Sequence, residues 1–425
     1  MVQVDFREAL LTWLKIGCLG FGGPAGQIAL MHRILVDEKK WVEESRYLHA
    51  LNFCMLLPGP EAQKLATYVG WLLHGVRGGL VAGCLFVLPG AIVMLAVSLL
   101  YVLGRGIPVV DGALFGVKAA VLVIVVEALI RIGRRGLKTR ALMAIAGAAF
   151  VGIFFLDLPF PLIVLAAGVA GFFLTRPALA PSAAPAPGRW RQSARYAAVG
   201  TALWIAPIVA VVGLLGTGHV LFDIAAFFSK LAVVSFGGAY ALLAYMAQQA
   251  VENYGWMSAP EMVDGLGLAE TLPGPLIKVT QFVGFLGAWR DPAPFSPFGA
   301  GLLGAALTTW VTFALPMMLI FAGAPFIEQL RSSPRLSGAL GAITAAVVGV
   351  ILNLTVWFAL HVLFRGVEEA RAGPLRWYAF DPSTLDWKAA ILAAVAAVLM
   401  LRLHRGLVET VAVMAALGIA VRLAS

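Results

Sequence analysis

The sequence predicts an all-α polytopic membrane protein made of two homologous halves with broken helices, about 10–14 helical segments in all. One observation behind this is composition. Hydrophobic residues fill 61% of the 425 positions and charged residues only 12%, with a mean hydropathy of +0.91, far from soluble averages. The other is an internal echo. Phe21-Gly22-Gly23, Trp41 and Pro58-Gly59-Pro60 recur as Phe236-Gly237-Gly238, Trp256 and Pro273-Gly274-Pro275, each pair 215 positions apart. Glycine and proline inside apolar sequence break helices, so one set of broken helices is encoded twice.

Taken in order, Phe6–Leu19 reads as a helix that ends at Gly20-Phe21-Gly22-Gly23-Pro24. Asp5, Arg7 and Glu8 precede a short apolar run without a small-residue cleavage pattern, so this first helix is expected to stay. Leu48–Leu57 stops at Pro58, and Glu61–Leu73 starts after Pro60. Both are short for a span. They read as half-helices meeting head to tail partway through the bilayer, where non-helical backbone must face protein or a wet cavity. The stretches 79–104, 109–130, 141–156 with 160–175, 197–216, 299–326, 337–364 and 387–423 are apolar runs long enough to cross about 30 Å of hydrocarbon. A closing pair, 141–156 and 160–175, is answered by 387–403 and 406–423.

The seam lies at 176–195, rich in Pro, Ala, Ser and Arg, which reads as a linker. The expected organisation is therefore 1–175 as the N-terminal repeat, 176–195 as linker, and 196–425 as the C-terminal repeat. Within the last, 197–216 is an extra helix and 221–423 the repeat core. The echo continues with small slips: Tyr68-Val69-Gly70 answers Phe282-Val283-Gly284, and Phe86 to Pro89 answers Phe313 to Pro316. The unpaired helix 197–216 makes an inverted repeat the favoured arrangement, although loop charges do not decide it.

The net charge of +9 resides largely in short loops such as Arg131–Arg140, as the positive-inside rule explains. Lipid is the expected environment and no nucleic-acid partner is expected. Cys18, Cys54 and Cys84 show no metal or disulfide spacing, and no metal or other cofactor is expected. The chain lacks the phosphate-loop, HExxH and GxSxG patterns, so it reads as no enzyme and no self-powered ATP pump.

Charged groups in the punctuated segments are functional candidates by default. Lys64 and Lys278 each follow a Pro-Gly-Pro closely, beside a helix N-terminus that already favours an anion. With Gly22, Gly23, Pro58, Gly59, Pro60, Gln63, Gly237, Gly238, Pro273, Gly274, Pro275 and Gln281, they form the candidate substrate-binding set. The alternatives stay open: Glu61 and Lys64 at i, i+3 could neutralise each other, and Lys278 could snorkel to an interface. Glu61 and Glu270 flank the breaks and are the coupling candidates, since a buried carboxylate can carry a proton. Glu270 could instead satisfy backbone N–H groups. Lys15 and Lys230 match across the repeat, and Lys118 sits alone in mid-helix opposite Thr344.

The segments FGGPAGQIALMHRILVDEKKWV and LLPGPEAQKLATYVGW, with partners FGGAYALLAYMAQQAVENYGWM and TLPGPLIKVTQFVGF, resemble the chromate ion transporter family in its long, two-domain form. Nearly the whole chain is covered. The resemblance implies halves of opposite orientation, inner-membrane location, and chromate export driven by proton-motive force or membrane potential, giving chromate resistance. Chromate is a tetrahedral dianion like sulfate, and a sulfate or other anion carrier or channel is the competing reading. A lipid-phosphate enzyme is a weaker one, and homodimerisation stays open. Family motif positions carried over are Phe21, Gly22, Gly23, Trp41, Pro58, Gly59, Pro60, Glu61 and Gln63. In the second half they are Phe236, Gly237, Gly238, Trp256, Glu270, Pro273, Gly274, Pro275, Gln281 and Gly284. The family pattern has an apolar residue where Lys278 stands, so that lysine is either a substrate-tuning feature of this chain or incidental.

Overall fold

A computed structural model describes residues 4–175, 189–236, 239–324 and 334–424. Sixteen α-helices are present among them. The first repeat runs α1 Phe6–Leu19, α2 Gly23–His32, α3 Glu44–Leu56, α4 Glu61–Gly104, α5 Pro108–Gly136, α6 Arg140–Phe154 and α7 Phe160–Leu174. The helix α8, Arg189–Leu215, joins it to the second repeat. There follow α9 Val220–Val233, α10 Ala239–Gln248, α11 Ala259–Thr271, α12 Val279–Arg290, α13 Pro297–Gly323, α14 Pro334–Leu363, α15 Trp387–Ala397 and α16 Leu407–Leu423. Among the described residues, five helices are long and apolar enough to cross a membrane: α4, α5, α8, α13 and α14.

Local chemistry sets the bounds. The Asp5 carboxylate accepts from the N–H groups of Arg7 and Glu8 and starts α1, the usual satisfaction of orphan donors. Helix α4 is broken at His74 and Gly75, where Gly75 has φ +60°. The break separates the short piece 61–73 from the long piece 76–104, as the sequence anticipates. The second repeat makes the same turn between α12 and α13 with a longer loop. Close backbone approach closes both hairpins: a Cβ on Gly70 or Gly78 would overlap the facing turn, and so would one on Gly284 or Gly304.

The echo persists at the level of single hydrogen bonds. Each repeat passes through one turn of π-helix before its tryptophan, at Arg33–Glu38 and Gln249–Asn253. The N–H of Trp41 then donates to Leu35 O at 2.8 Å, and that of Trp256 to Ala250 O at 2.9 Å. The residue before each tryptophan is left-handed, Lys40 with φ +52° and Gly255 with φ +62°.

Two features depart from the sequence expectation. Helix α8 begins at Arg189, so the last residues of the stretch read as a linker are helical; 176–188 lie outside the described residues. A β-hairpin, β1 Val367–Ala372 with antiparallel β2 Leu375–Phe380, occupies the interval between the apolar runs 337–364 and 387–403, where no strand is expected. It is pinned by Arg376, whose buried guanidinium pairs with Asp157 at 2.9 Å and Glu252 at 3.2 Å and donates to Ile153 O at 2.8 Å.

The chain folds into two compact units, and neither coincides with a repeat. The first unit comprises Met1–Ser98, Arg176–Ala239 and Leu272–Ser337. The second comprises Leu99–Thr175, Tyr240–Thr271 and Gly338–Ser425. Each draws on both halves of the sequence. In the second unit, glycines allow tight packing of α5 on α16, where a Cβ at Gly116 would overlap Met414 O.

Candidate functional site

Both Pro-Gly-Pro loops belong to the first unit, and they are seated reciprocally. Gly59, with φ +103°, donates its N–H to Ser235 O at 3.0 Å. Gly274, with φ +92°, donates to Gly20 O at 2.9 Å. Positions 20 and 235 are themselves equivalent, each just before its Phe-Gly-Gly. Thus each loop is tied to the broken helix of the other repeat. Side packing is crossed in the same way: a Cβ on Gly59 would overlap the Pro316 ring of α13, and a Cβ on Gly90 of α4 would overlap Pro273 O. Only glycine tolerates both the left-handed backbone and this approach.

The lysines point in an unexpected direction. Both are buried, at 1% exposure. Lys64 donates to Leu57 O, while Lys278 donates to Leu272 O at 2.9 Å and Gly274 O at 3.2 Å. The ammonium groups therefore turn back onto the C-terminal ends of α3 and α11. They do not lie forward beside the following N-terminus. The cause is electrostatic: a helix C-terminus leaves carbonyls unpaired and carries partial negative charge, which attracts a cation. Lys278 lies in a 3-10 turn, Leu276–Lys278, and precedes α12. No ion pair joins Lys64 to Glu61 among the described residues; Glu61 is half-buried at the first position of α4.

Neutral polar groups complete the loops. Gln63 donates to Phe313 O at 3.1 Å and Gln281 to Ala91 O at 2.9 Å. Gln27, which the sequence did not single out, bridges Gly20 O at 3.1 Å and Gly274 O at 2.7 Å. Its equivalent in the second repeat is Leu242, so the echo gives no signal for it. The Oε1 atoms of Gln27, Gln63 and Gln281 and the Thr280 hydroxyl are buried and make no hydrogen bond. Buried polar atoms of that kind are costly unless something completes them.

Gly22 and Gly23 are left-handed, φ +84° and +66°, and lead into α2. Gly237 and Gly238 lie outside the described residues. Lys15 and Lys230 are exposed on α1 and α9. Glu270 is buried in the last turn of α11 and falls in the second unit, so the two coupling candidates do not share a unit.

The second unit holds a charged line of its own. Asp264 on α11, 2% exposed, lies 3.2 Å from the Lys118 ammonium on α5. Its Oδ2 accepts from the Tyr101 hydroxyl at 2.8 Å. Arg105 donates to that hydroxyl oxygen at 2.9 Å and to Glu261 at 2.7 Å. Lys118 is legible as an isolated intramembrane charge; Asp264 and Glu261, three residues apart in apolar α11, carry the same signal.

The chromate transporter family model matches residues 7–172 and 222–421, one match in each half. The chain is 33% identical over 367 residues to a chromate transport protein of Pseudomonas aeruginosa, covering 83% of this chain and 81% of that one. It is 27% identical over 356 residues to a chromate transport protein of Cupriavidus metallidurans, covering 83% and 82%. A probable chromate transport protein of Synechococcus elongatus is 28% identical over 356 residues, covering 83% and 84%. No solved structure matches the chain.

Proposed function

The chain belongs to the chromate transporter family, and we propose that it is a secondary active transporter exporting chromate across the inner membrane, driven by proton-motive force or membrane potential. The observation that carries this reading is the reciprocal seating of the two Pro-Gly-Pro loops in one compact unit. At each break a negative helix C-terminus faces a positive N-terminus, and the lysine caps the former. With the carbonyl end neutralised, the N–H groups that open the next helix dominate the local field, which suits a compact dianion. Gly22, Gly23, Pro58, Gly59, Pro60, Gln63, Lys64, Gly237, Gly238, Pro273, Gly274, Pro275, Lys278 and Gln281 would form the substrate site. The halves would be oppositely oriented. Glu61 and Glu270 are coupling groups in this reading, each beside a break.

Radiolabelled chromate flux in everted membrane vesicles tests it. The reading expects accumulation on energisation, abolished by a protonophore, and a changed pH profile in Glu270→Gln. Absence of chromate movement in both energised and resting vesicles would sink it. Stronger transport of sulfate than of chromate would reassign the substrate.

A further inference from the structure

We infer that Asp264 and Lys118 form a proton-exchanging charge pair, a coupling element separate from the substrate loops and from Glu61 and Glu270. This rests on the transport reading above. A full ion pair in apolar surroundings is an expensive way to hold two helices together, since desolvation offsets most of the attraction, and intramembrane charges mark ion paths by default. Here the pair is also connected outward. Arg105 is 46% exposed on its side chain, and from it hydrogen bonds run through Tyr101 to Asp264. The Tyr101 hydroxyl oxygen accepts a hydrogen bond from Arg105 and donates its O–H hydrogen bond to the carboxylate, so the line presents Asp264 as an ionised acceptor.

Lys118 acts from α5, Tyr101 and Arg105 from the end of α4, and Glu261 from one turn earlier on α11. Helices α15 and α16 and the π-helical turn Val398–Arg402 also pack here; their ionisable residues Lys388, Arg402, Glu409 and Arg422 are exposed. The ionised line Arg105, Glu261, Lys118 and Asp264 sums to zero charge.

One proton from water changes that balance. Protonation of Asp264 converts its carboxylate to a carboxylic acid, breaks the ion pair, and leaves the Lys118 ammonium as one uncompensated positive charge. Deprotonation restores the pair. Two states that differ by a whole charge in a low-dielectric setting respond strongly to pH and to an anion near Lys118, which is the differential interaction coupling requires. The equivalent positions in the other repeat are His49 for Asp264 and Thr344 for Lys118. The pair therefore occurs once, whereas the substrate loops occur twice.

Proteoliposomes of the full chain with an internal pH dye and radiolabelled chromate test the assignment. Lys118→Met combined with Asp264→Asn removes both charges and leaves neither buried alone. The double variant is expected to exchange chromate across the membrane while losing chromate-dependent proton movement, and Asp264→Glu is expected to retain both. Proton movement at the wild-type ratio in the double variant overturns the inference. So does loss of exchange together with proton movement in both variants, which would make the pair structural. A wild-type chain that moves no chromate in any arm overturns the transport reading instead.

Discussion

Lys64 and Lys278 stand at non-equivalent positions, seven residues after Leu57 and six after Leu272. Those leucines are equivalent, and both ammonium groups end on them. By contrast, Asp264 and Lys118 in the second unit have no counterparts of the same kind, His49 and Thr344 occupying the matching places. The first region keeps its geometry even where the sequence has drifted; the second is unique to one copy. A duplicated backbone constrains where a helix end needs a cation, and a long flexible side chain can meet that need from either of two neighbouring positions. A buried ion pair needs both partners at once, so it arises in one copy alone. In the proposed reading the substrate architecture is thus shared between repeats, and the charge that breaks the symmetry belongs to coupling.

The two Pro-Gly-Pro loops differ most in steric tolerance. Gly59 and Gly274 hold the same left-handed conformation, but a Cβ at Gly59 overlaps the Pro316 ring while one at Gly274 lies 3.3 Å from Gly90 Cα. Both alanine variants bear a backbone penalty of about 1–3 kcal/mol, and Gly59→Ala adds an overpacking cost of about 1–3 kcal/mol. Gly59→Ala should therefore lower the melting temperature in detergent more than Gly274→Ala. Equal loss would show that the crossed packing against Pro316 contributes nothing.

A smaller effect sharpens the contrast between repeats. His32 ends α2, outside the five candidate spans, and its equivalent is Ala247. The Glu44 carboxylate, hydrogen-bonded to the ring at 2.5 Å, holds His32 above its ordinary value of 6.5, aided by Asp37. A pKa raised on folding contributes stability that is complete below the unfolded value and is lost as pH rises through the folded one. His32→Gln should therefore destabilise the protein at pH 6 and hardly at pH 9, by less than about 1 kcal/mol at this half-exposed site. Thermal melts of both proteins at the two pH values check it. A pH-independent difference would mean that packing against Tyr47 dominates.

Much of the architecture is legible in the sequence because glycine and proline write helix breaks directly. The bounds of α1, the break of α4 near Leu73, and the paired loops all follow from local punctuation. The direction of the lysines does not, since a side chain next to a break lies equally near the end of one helix and the start of the next. Gln27 is illegible for another reason: its partners Gly20 and Gly274 are joined only by the fold. The β-hairpin hides because its key residue, Arg376, reads as one more loop cation until Asp157 and Glu252 are brought to it. Asp264 is visible as an acid among the apolar residues of α11, but its tie to Lys118 depends on the packing of α11 on α5, where Gly267 lies against Val117.

The central claim is that the two lysine-capped breaks of the first unit together attract the anion. Equilibrium binding of radiolabelled chromate to purified protein in detergent, wild type against Lys64→Met, Lys278→Met and the double variant, measures this directly. Each single variant is predicted to bind several-fold more weakly and the double variant more than about tenfold, as removal of two positive charges from the proposed site implies, with folded protein retained by size-exclusion profile. Wild-type affinity in a folded double variant would contradict the account.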